Sequence, residues 1–320
     1  MISIVVPAFN EQEGIEELYR RVTSASAVWG EDFELIVVDD GSSDKTMEIC
    51  ERLAGADSRL KIVSLSRNFG HQPAVSAGLA HASGSVVAVL DADLQDPPEE
   101  LKPFIDKIRE GFDVVYAVRT KRKEGPFKRL AYYLYYRILN RLATLEIPLD
   151  AGDFCVMRGD VVAAINQLPE RNRFVRGLRT WVGYRQTGMT YERQSRFAGE
   201  PKYTFRKLVQ LAMDGIINFS YRPLQLILFM GVLVGFASLL FGVVVMVLYI
   251  ANASVMGFNP REARGWTSLI FALLFSSAVQ LFCLGVLGEY VGRIFEETKR
   301  RPAFLVKKTI NLDDRSERFV

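Results

Sequence analysis

The chain contains two long runs without a single charged side chain, at positions 224–251 and 266–288. An α-helix rises about 1.5 Å per residue, so each run is long enough to cross a hydrocarbon layer about 30 Å thick. A helix of this length in a water-soluble protein usually carries polar residues along one face. The two runs therefore predict a pair of transmembrane helices, and every other interpretation of the 320-residue chain has to accommodate them.

Basic residues are concentrated on one side of this predicted pair. They are Arg206, Lys207 and Arg222 before the first run, and Arg293, Lys299, Arg300, Arg301, Lys307 and Lys308 after the second. The loop between the runs contains only Arg261 and Arg264, with Glu262 between them. Cytoplasmic flanks of membrane spans carry the excess of Lys and Arg. We therefore expect an integral inner or plasma membrane protein with two spans, whose termini and large N-terminal part lie in the cytoplasm.

Short β-branched runs alternate with helix-like segments through the first 120 residues. The predicted strands are 2–6, 35–38, 61–64, 86–90 and 114–117, and the predicted helices are 13–27, 44–53, 72–81 and 99–110. Alternation at this spacing is typical of right-handed βαβ units. The strands are continuous apolar runs, as expected when helices cover both faces of a sheet. The predicted fold class is α/β, with a mainly parallel sheet.

Composition disfavours two classes of protein. The 40 basic and 37 acidic residues nearly balance, which gives no overall charge that would attract nucleic acid. Cys50, Cys155 and Cys283 show no CxxC spacing, which argues against a disulfide framework or a zinc site and fits a reducing compartment.

Residues 126–145 carry apolar side chains at helical spacing, with basic residues and tyrosines between them. A basic, aromatic-rich amphipathic helix suits the membrane interface. The same apolar stripe is also compatible with packing on a soluble domain. A second such segment, residues 204–219, leads directly into the first apolar run.

The strongest local signal is the sequence VVAVLDADLQDPP at positions 86–98, where an apolar strand ends in Asp91 and Asp93. Alternate side chains of an extended backbone point to the same face, so the two carboxylates are expected to lie together. They would repel each other unless a cation neutralised them. Mg²⁺ or Mn²⁺ is the expected cofactor, because these ions prefer oxygen ligands and keep positions open for substrate phosphates.

Two further predicted strands end in polar or acidic residues, PAFNE at 7–11 and DDGS at 39–42. Open α/β sheets bind ligands at the carboxyl ends of their strands, so three such ends predict a cleft there. A carboxylate in this place can accept hydrogen bonds from a nucleotide base or ribose. No GxGxxG motif or Walker A motif follows a strand, which disfavours a nicotinamide-binding domain and a P-loop domain.

These motifs together resemble those of the family 2 glycosyltransferases of the GT-A fold, and within them those of the polyprenyl-phosphate sugar transferases. That group includes dolichol-phosphate mannose synthases and bactoprenol glucosyltransferases. The motifs that carry the resemblance are PAFNE, VVDDGS, LSRNFG (65–70), SAGL (76–79), DADLQDPPE, GDF (152–154), WVGYRQT (181–187), GEPKY (199–203) and GEYVGR (288–293). The resemblance therefore covers nearly the whole chain.

The resemblance implies a metal-dependent, inverting enzyme that moves one sugar from a nucleotide donor onto polyprenyl (undecaprenyl) phosphate. It favours UDP-glucose as the donor, and it implies a homotetramer in the bilayer. Glucose, mannose, N-acetylglucosamine and aminoarabinose transferases of the family share these motifs, so the sugar stays open. The QxxRW motif of processive polysaccharide synthases is absent, which favours a single transfer.

The resemblance also implies roles for individual residues. The nucleotide-sugar-binding positions are Pro7, Phe9, Glu11, Val38, Asp40, Asp91, Ala92, Gln95, Arg196 and Lys202, with Asp39 beside them. The metal positions are Asp91, Asp93 and Gln95, the acceptor-phosphate positions are Arg119 and Arg129, and the catalytic positions are Asp153, Asp93 and Arg119. Phe9 stands where many relatives have Tyr, which leaves base stacking without a hydroxyl. Asp153 is either a catalytic base or an orienting group, and Arg119 and Arg129 are either phosphate ligands or solvated charges.

Four parts of the chain follow from this interpretation. We expect a nucleotide-sugar-binding core at 1–124, the rest of the catalytic domain with its interfacial helices at 125–222, a transmembrane hairpin at 223–292 and a basic cytoplasmic tail at 293–320. The alternative functions are a transport component with a nucleotide-binding domain, a non-catalytic sugar-nucleotide sensor, and a transferase that acts on a protein or a glycan.

Overall fold

The structure is a computed structural model that describes residues 1–119, 151–171, 173–191, 222–251 and 265–312. These residues form two compact units. The first is a sheet domain, which includes the segment from residue 300 onward. The second is a pair of long helices.

The sheet domain is built on eight strands within the described residues. They are β1 (Ile2–Ala8), β2 (Phe33–Asp39), β3 (Leu60–Leu65), β4 (Val86–Val89), β5 (Val114–Arg119), β6 (Ala151–Arg158), β7 (Gln186–Tyr191) and β8 (Val306–Ile310). Their order across the sheet is β7-β5-β6-β4-β1-β2-β3-β8. The five predicted strands correspond to β1 to β5, so the α/β prediction is confirmed.

The sheet is mixed but mostly parallel. Strands β1 to β4 are parallel to their neighbours in the order β3-β2-β1-β4, and β5 is parallel to β7. Strand β6 runs antiparallel to both β4 and β5, and β8 runs antiparallel to β3. Strand β6 therefore begins at the edge of the sheet where β4 ends.

Six helices of this domain are described. They are α1 (Ile15–Ser26), α2 (Thr46–Ala56), α3 (His71–His81), α4 (Leu101–Arg109), α5 (Gly159–Gln167) and α6 (Val175–Trp181). Helix α4 shows why these segments are helical: Leu101, Phe104, Ile105 and Ile108 recur at helical spacing and are all buried. The four predicted helices correspond to α1 to α4 and are confirmed.

Strand β1 lies near the centre of the sheet, and every residue in it is buried. Ile2, Ile4 and Val6 belong to the main core together with Leu18 of α1 and Phe104 of α4. Intervening residues of the strand point to the opposite face, where α3 packs. Burial on both faces explains the mostly apolar sequence of this strand.

The second unit consists of helices α7 (Arg222–Ala251) and α8 (Trp266–Thr298), which contact each other. Both are long and apolar enough to cross a membrane, and the segments that meet this criterion are Ile227–Leu248 and Ala272–Thr298. Helix α8 continues past the apolar run, and there Glu289 and Arg293 form an ion pair of 3.0 Å one turn apart.

The segment that follows α8 returns to the sheet as β8. The peptide oxygen of Leu305 accepts a hydrogen bond from the backbone N–H of Ser66 at 2.9 Å. Beyond the strand, the side-chain amide of Asn311 donates to the carbonyl oxygens of Ala54 (2.8 Å) and Leu60 (2.9 Å). Part of the segment expected to be a basic tail is thus an edge strand of the sheet domain.

Candidate active site

Several strands of the sheet end at one edge. Strand β1 lies between β2 and β4, and all three run in the same direction. The residues that follow them are the first loop at 9–11, Asp40 and the turn that carries Asp91 and Asp93. Because β2 and β4 lie on opposite sides of β1, this is the point where an open α/β sheet forms a crevice. The predicted gathering of three strand ends is confirmed.

The turn after β4 holds Asp93 and Gln95 in a fixed relationship. The backbone N–H of Gln95 donates to Oδ1 of Asp93 at 3.1 Å. Between them Leu94 has a φ of 58°, a left-handed conformation that is unfavourable for a bulky side chain, and it is buried. Core packing of Leu94 therefore stabilises a turn that local preference alone would not produce.

Asp153 reaches the same place from the antiparallel strand β6. Val89 of β4 lies opposite Cys155 of β6. The antiparallel direction of β6 brings Asp153 to the edge where β4 ends. There Nε2 of His71 lies 3.2 Å from Asp153 and 3.7 Å from Asp91, which are 62 positions apart in the sequence.

The carboxylate of Asp153 is surrounded by hydrogen-bond donors. Arg176 of α6 donates to it twice, from Nε to Oδ1 at 2.8 Å and from Nη2 to Oδ2 at 3.1 Å. Nε2 of Gln72 donates to Oδ2 at 3.4 Å, and Nε2 of His71 lies 3.2 Å from the same oxygen. Gln72 also accepts the backbone N–H of Val175 at 2.8 Å, which joins the first turn of α3 to the first residue of α6.

His71 lies between two carboxylates. Its Nε2 atom is 3.2 Å from Asp153 and 3.7 Å from Oδ1 of Asp91. Burial alone would lower the pKa of this imidazole, but the bond to Asp153 and the nearby charges raise it to about 9. Burial likewise opposes ionisation of Asp153, yet Arg176 and His71 hold the pKa of that carboxyl well below its ordinary value. Burial raises the pKa of Asp91, although His71 acts in the opposite direction.

The acids after β2 organise loops. Asp40 accepts the backbone N–H groups of Phe69 at 2.7 Å and Gly70 at 2.9 Å, and it is 3% exposed. Asp39 accepts the backbone N–H of Ser42 at 3.0 Å and the hydroxyl of Ser64 at 3.2 Å. Burial raises the pKa of Asp40 against the effect of the two amides. Asp40 thus fixes the loop that leads into α3, and its contact with a nucleoside stays a prediction.

The first loop is bound to the second by short polar contacts. The backbone N–H of Glu11 donates to the hydroxyl of Thr46 at 2.8 Å. Oδ1 of Asn10 accepts the backbone N–H of Ser43 at 2.8 Å, and Asn10 has a φ of 54°. These contacts place Phe9 and Glu11 beside the DDGS turn.

The other predicted site residues fall into three groups. The side chains of Pro7, Val38 and Ala92 are buried in the sheet domain, so any contact with a ligand would be made by their backbone. Arg119 is the last residue of β5, at the same edge of the sheet as Asp91. Arg129, Arg196 and Lys202 lie outside the described residues, and their roles stay predictions.

His71, Gln72 and Arg176 belong to the site although the sequence interpretation did not include them. His71 and Gln72 begin the helix that follows β3, and a helix after a parallel strand begins at the edge where ligands bind. This position at the sheet edge could have indicated that His71 and Gln72 belong to the site. Histidine is also rare in this chain, which has only two. Arg176 gave no comparable signal, because an arginine on a short helix resembles a solvated charge.

The family model described as "Glycosyl transferase family 2" matches residues 3–165. The matched segment runs from the second residue of β1 through β6 and includes the carboxylates Asp91, Asp93 and Asp153. The chain belongs to this glycosyltransferase family.

Curated relatives match nearly the entire chain. The chain is 43% identical to the uncharacterized glycosyltransferase YkcC of Bacillus subtilis, over 98% of this chain and 95% of that protein. It is 41% identical to the SfII prophage-derived bactoprenol glucosyl transferase of Shigella flexneri, over 96% of this chain and 98% of that protein. Among solved structures, glucosyl-3-phosphoglycerate synthase from Mycobacterium tuberculosis covers 68% of this chain and 77% of its own, with 21% identity and a TM-score of 0.46.

Proposed function

We propose that this protein transfers one sugar residue, with inversion, from a nucleotide donor to polyprenyl phosphate at the cytoplasmic face of a membrane. The observation that carries the proposal is the 41% identity to a bactoprenol glucosyl transferase over 96% of the chain and 98% of that relative. Glucose from UDP-glucose is the donor we favour, because the name of that relative specifies glucosyl transfer. A homotetramer remains part of the proposal on family resemblance alone.

The residues at the sheet edge fit a divalent cation. Asp91 and Asp93 supply carboxylate oxygens, the donors that Mg²⁺ and Mn²⁺ prefer. Within the described residues, no group of three or more His, Cys, Asp or Glu is placed to hold a metal ion by itself. Two carboxylates suffice when donor phosphates and water complete the coordination shell. We assign Asp91 and Asp93 as ligands, with Gln95 beside them; the bound ion would neutralise charge on the diphosphate.

The chemistry of the acceptor determines what the site has to provide. A phosphate monoester is already anionic near neutral pH, so it needs little help from a base. The larger task is to bring two anionic substrates together and to stabilise the departing nucleoside diphosphate. We assign Arg119 and Arg129 to the acceptor phosphate, and Arg196 and Lys202 to the diphosphate.

The two long helices support a membrane location for this reaction. Both are long and apolar enough to span a bilayer, within the residues described. We infer from the flanking basic residues that the sheet domain faces the cytoplasm. The proposed acceptor is itself a membrane lipid, so an anchored enzyme would work at the depth of its phosphate.

The test is a transfer assay with the full-length protein purified in detergent. Undecaprenyl phosphate would be supplied with UDP-glucose, GDP-mannose, UDP-N-acetylglucosamine or UDP-aminoarabinose, with Mg²⁺ or Mn²⁺, and the lipid product identified by mass spectrometry. We expect one donor to give a lipid-linked sugar. Binding of nucleotide without any lipid product would contradict the proposal and favour a non-catalytic sensor.

Asp93→Ala is the matched variant for the metal assignment. We expect it to lose metal-dependent transfer while its unfolding temperature in detergent stays close to that of the parent, because Asp93 is a partly exposed residue at the site edge. Normal turnover by this variant would show that the metal is held elsewhere.

A further inference from the structure

Arg176 and Asp153 form an ion pair with two hydrogen bonds at the point where three elements meet. Asp153 lies in β6, Arg176 in the first turn of α6, and Gln72 in the first turn of α3. The amide of Gln72 contacts both the carboxylate of Asp153 and the backbone of α6. Such a parallel double hydrogen bond fixes the plane and direction of a guanidinium.

Exposure differs systematically within this group. The side chain of Asp153 is 13% exposed, whereas those of Arg176 and His71 are 27% and 31% exposed. The carboxylate is therefore the inner member, and the nitrogen-bearing groups are the outer ones. The surface that this cluster offers to a substrate is dominated by N–H donors and by the permanent charge of Arg176.

The donors around Asp153 also make it a poor proton acceptor. Both of its oxygens already accept hydrogen bonds from Arg176, and Oδ2 has Gln72 and His71 beside it as well. A phosphate acceptor does not require a strong base. A saturated carboxylate is better suited to hold cationic and donor groups in place than to carry a proton.

We propose that Arg176, with His71 beside it, binds phosphoryl oxygens of the reacting substrates, and that Asp153 is the positioning residue that orients both. This inference rests on the proposed function. A guanidinium presents five N–H groups in a planar fork, so one arginine can contact a carboxylate and an anion together. The contact of His71 Nε2 with Asp153 at 3.2 Å orients the imidazole ring beside Arg176.

The location of the cluster favours phosphoryl oxygens over other anions. Nε2 of His71 is 3.2 Å from Asp153 and 3.7 Å from Asp91. The cluster thus adjoins the carboxylates assigned to the metal and the diphosphate. Phosphoryl oxygens there come either from the donor diphosphate or from the acceptor phosphate, and the two sources can be separated by kinetics.

The experiment compares Arg176→Gln and Arg176→Lys with the parent in the full-length protein. Steady-state kinetics would give kcat, the KM for undecaprenyl phosphate and the inhibition constant of UDP with Mn²⁺. We expect kcat/KM to fall by about 100-fold in Arg176→Gln with at least one of the two binding constants weakened, because a charged donor to a phosphoryl group that is already bound before the reaction is lost. The kcat/KM of Arg176→Lys should be about tenfold higher than that of Arg176→Gln, because lysine restores the positive charge but not the planar pair of N–H donors.

The KM for undecaprenyl phosphate and the inhibition constant of UDP together identify the source of the phosphoryl oxygens. A weaker inhibition constant for UDP with an unchanged KM for undecaprenyl phosphate would assign Arg176 to the donor diphosphate. The opposite pattern would assign it to the acceptor phosphate. Both patterns support the proposal, since a purely structural residue would move neither constant selectively.

Arg158→Gln is the matched control. Arg158 lies at the other end of β6 and also forms a double hydrogen bond with an aspartate, Asp160, at 2.8 and 3.1 Å. It lies far from the site edge along the strand, so its loss should leave the kinetic constants unchanged.

Two results would overturn the proposal: constants within about twofold of the parent in Arg176→Gln, or a lower kcat with neither constant moved. If Arg176→Gln does not fold, Arg176→Lys decides by the same criteria. A parent protein that forms no lipid-linked sugar would refute the proposed function and this inference with it. An active parent with an unaffected Arg176→Gln would refute this inference alone.

Discussion

The hydroxyl of Tyr191 donates a hydrogen bond to the carboxylate of Asp96 in the interior of the sheet domain. Tyr191 is the last residue of the edge strand β7, and Asp96 lies in the turn that follows β4. The ring of Tyr191 also packs edge-on against Phe154, with centroids 5.2 Å apart. This hydrogen bond therefore connects the turn that carries Asp91 and Asp93 to β7, which lies three strands away from β4 in the sheet.

Tyr191→Phe removes the hydrogen bond to Asp96 and keeps the aromatic ring. Because the Asp96 carboxylate is fully buried, we expect a loss of about 1–3 kcal/mol of stability. We also expect a higher Mn²⁺ concentration for half-maximal transfer, since the turn with Asp93 would be less well ordered. Thermal unfolding in detergent and a Mn²⁺ titration of activity measure the two effects. An unchanged metal requirement would show that the turn is ordered without this bond.

Gly41 cannot be replaced without strain, whereas Gly55 can. Gly41 has a φ of 69°, and a Cβ atom there would lie 2.6 Å from the backbone carbon of Arg67. We expect Gly41→Ala to cost more than about 1 kcal/mol, because both its conformation and its space exclude a side chain. Gly55→Ala is the control: Gly55 lies in α2, a Cβ atom there would have no neighbour within 4 Å, and we expect a gain of about 0.5–1 kcal/mol. Unfolding temperatures that move in the same direction would contradict this.

Glu34 predicts an acid-dependent loss of stability. It is 2% exposed and accepts hydrogen bonds from Ser3, Lys61 and both donors of Ser83. Burial opposes its ionisation, but Lys61 and the serines lower its pKa below 4.5. Because the pKa of Glu34 is lower in the folded than in the unfolded state, its ionised form stabilises the fold at any pH above the unfolded-state pKa. This stabilisation is lost as the pH falls through the folded-state pKa.

Glu34→Gln should therefore lose about 3 kcal/mol at neutral pH, because it leaves Lys61 without its counter-charge. The difference from the parent should shrink as the pH falls below about 4.5. Unfolding temperatures measured from neutral pH to about pH 3 would show the convergence. Glu16→Gln, which removes an exposed partner of Arg52, should follow the parent at every pH. A gap that stays constant at low pH would mean that the carboxylate is not the source of the stability.

Asn311 predicts how firmly β8 is attached. Its side-chain amide donates to Ala54 and Leu60, and its φ is 59°. Asn311→Asp tolerates the same backbone conformation but has no donor, so we expect faster hydrogen exchange across Val306–Ile310. Asn311→Gln keeps a donor and serves as the comparison. Unchanged exchange in Asn311→Asp would show that pairing with β3 alone holds the strand.

Local sequence pattern predicted the parallel part of the sheet well. Strands β1 to β4 are mainly apolar segments bounded by polar turns, and burial on both faces imposes this pattern. The same pattern located Asp91 and Asp93 at a strand end. These features depend on residues that are near one another in the sequence.

Features that depend on distant residues did not follow from local pattern, and the family resemblance alone placed Asp153 at the site. The antiparallel direction of β6 brings its first residues to the edge where β4 ends, but no local periodicity encodes a pairing direction. The bond between Arg176 and Asp153 joins two separate elements, and nothing around Arg176 distinguished it from a solvated charge. Strand β8 contains Lys307 and Lys308, which suggested a basic tail. Lysines are also what protects an exposed sheet edge from pairing with other chains.

The return of the chain into the sheet at β8 makes the helix pair an insertion within a domain and not an appendage at its end. A water-soluble fragment that stopped before residue 222 would lack β8 and would leave the outer edge of β3 open, where another molecule could add a strand. A fragment in which a flexible linker replaced residues 222–299 would keep that edge covered. Soluble versions of this enzyme should therefore be made by excision and not by truncation.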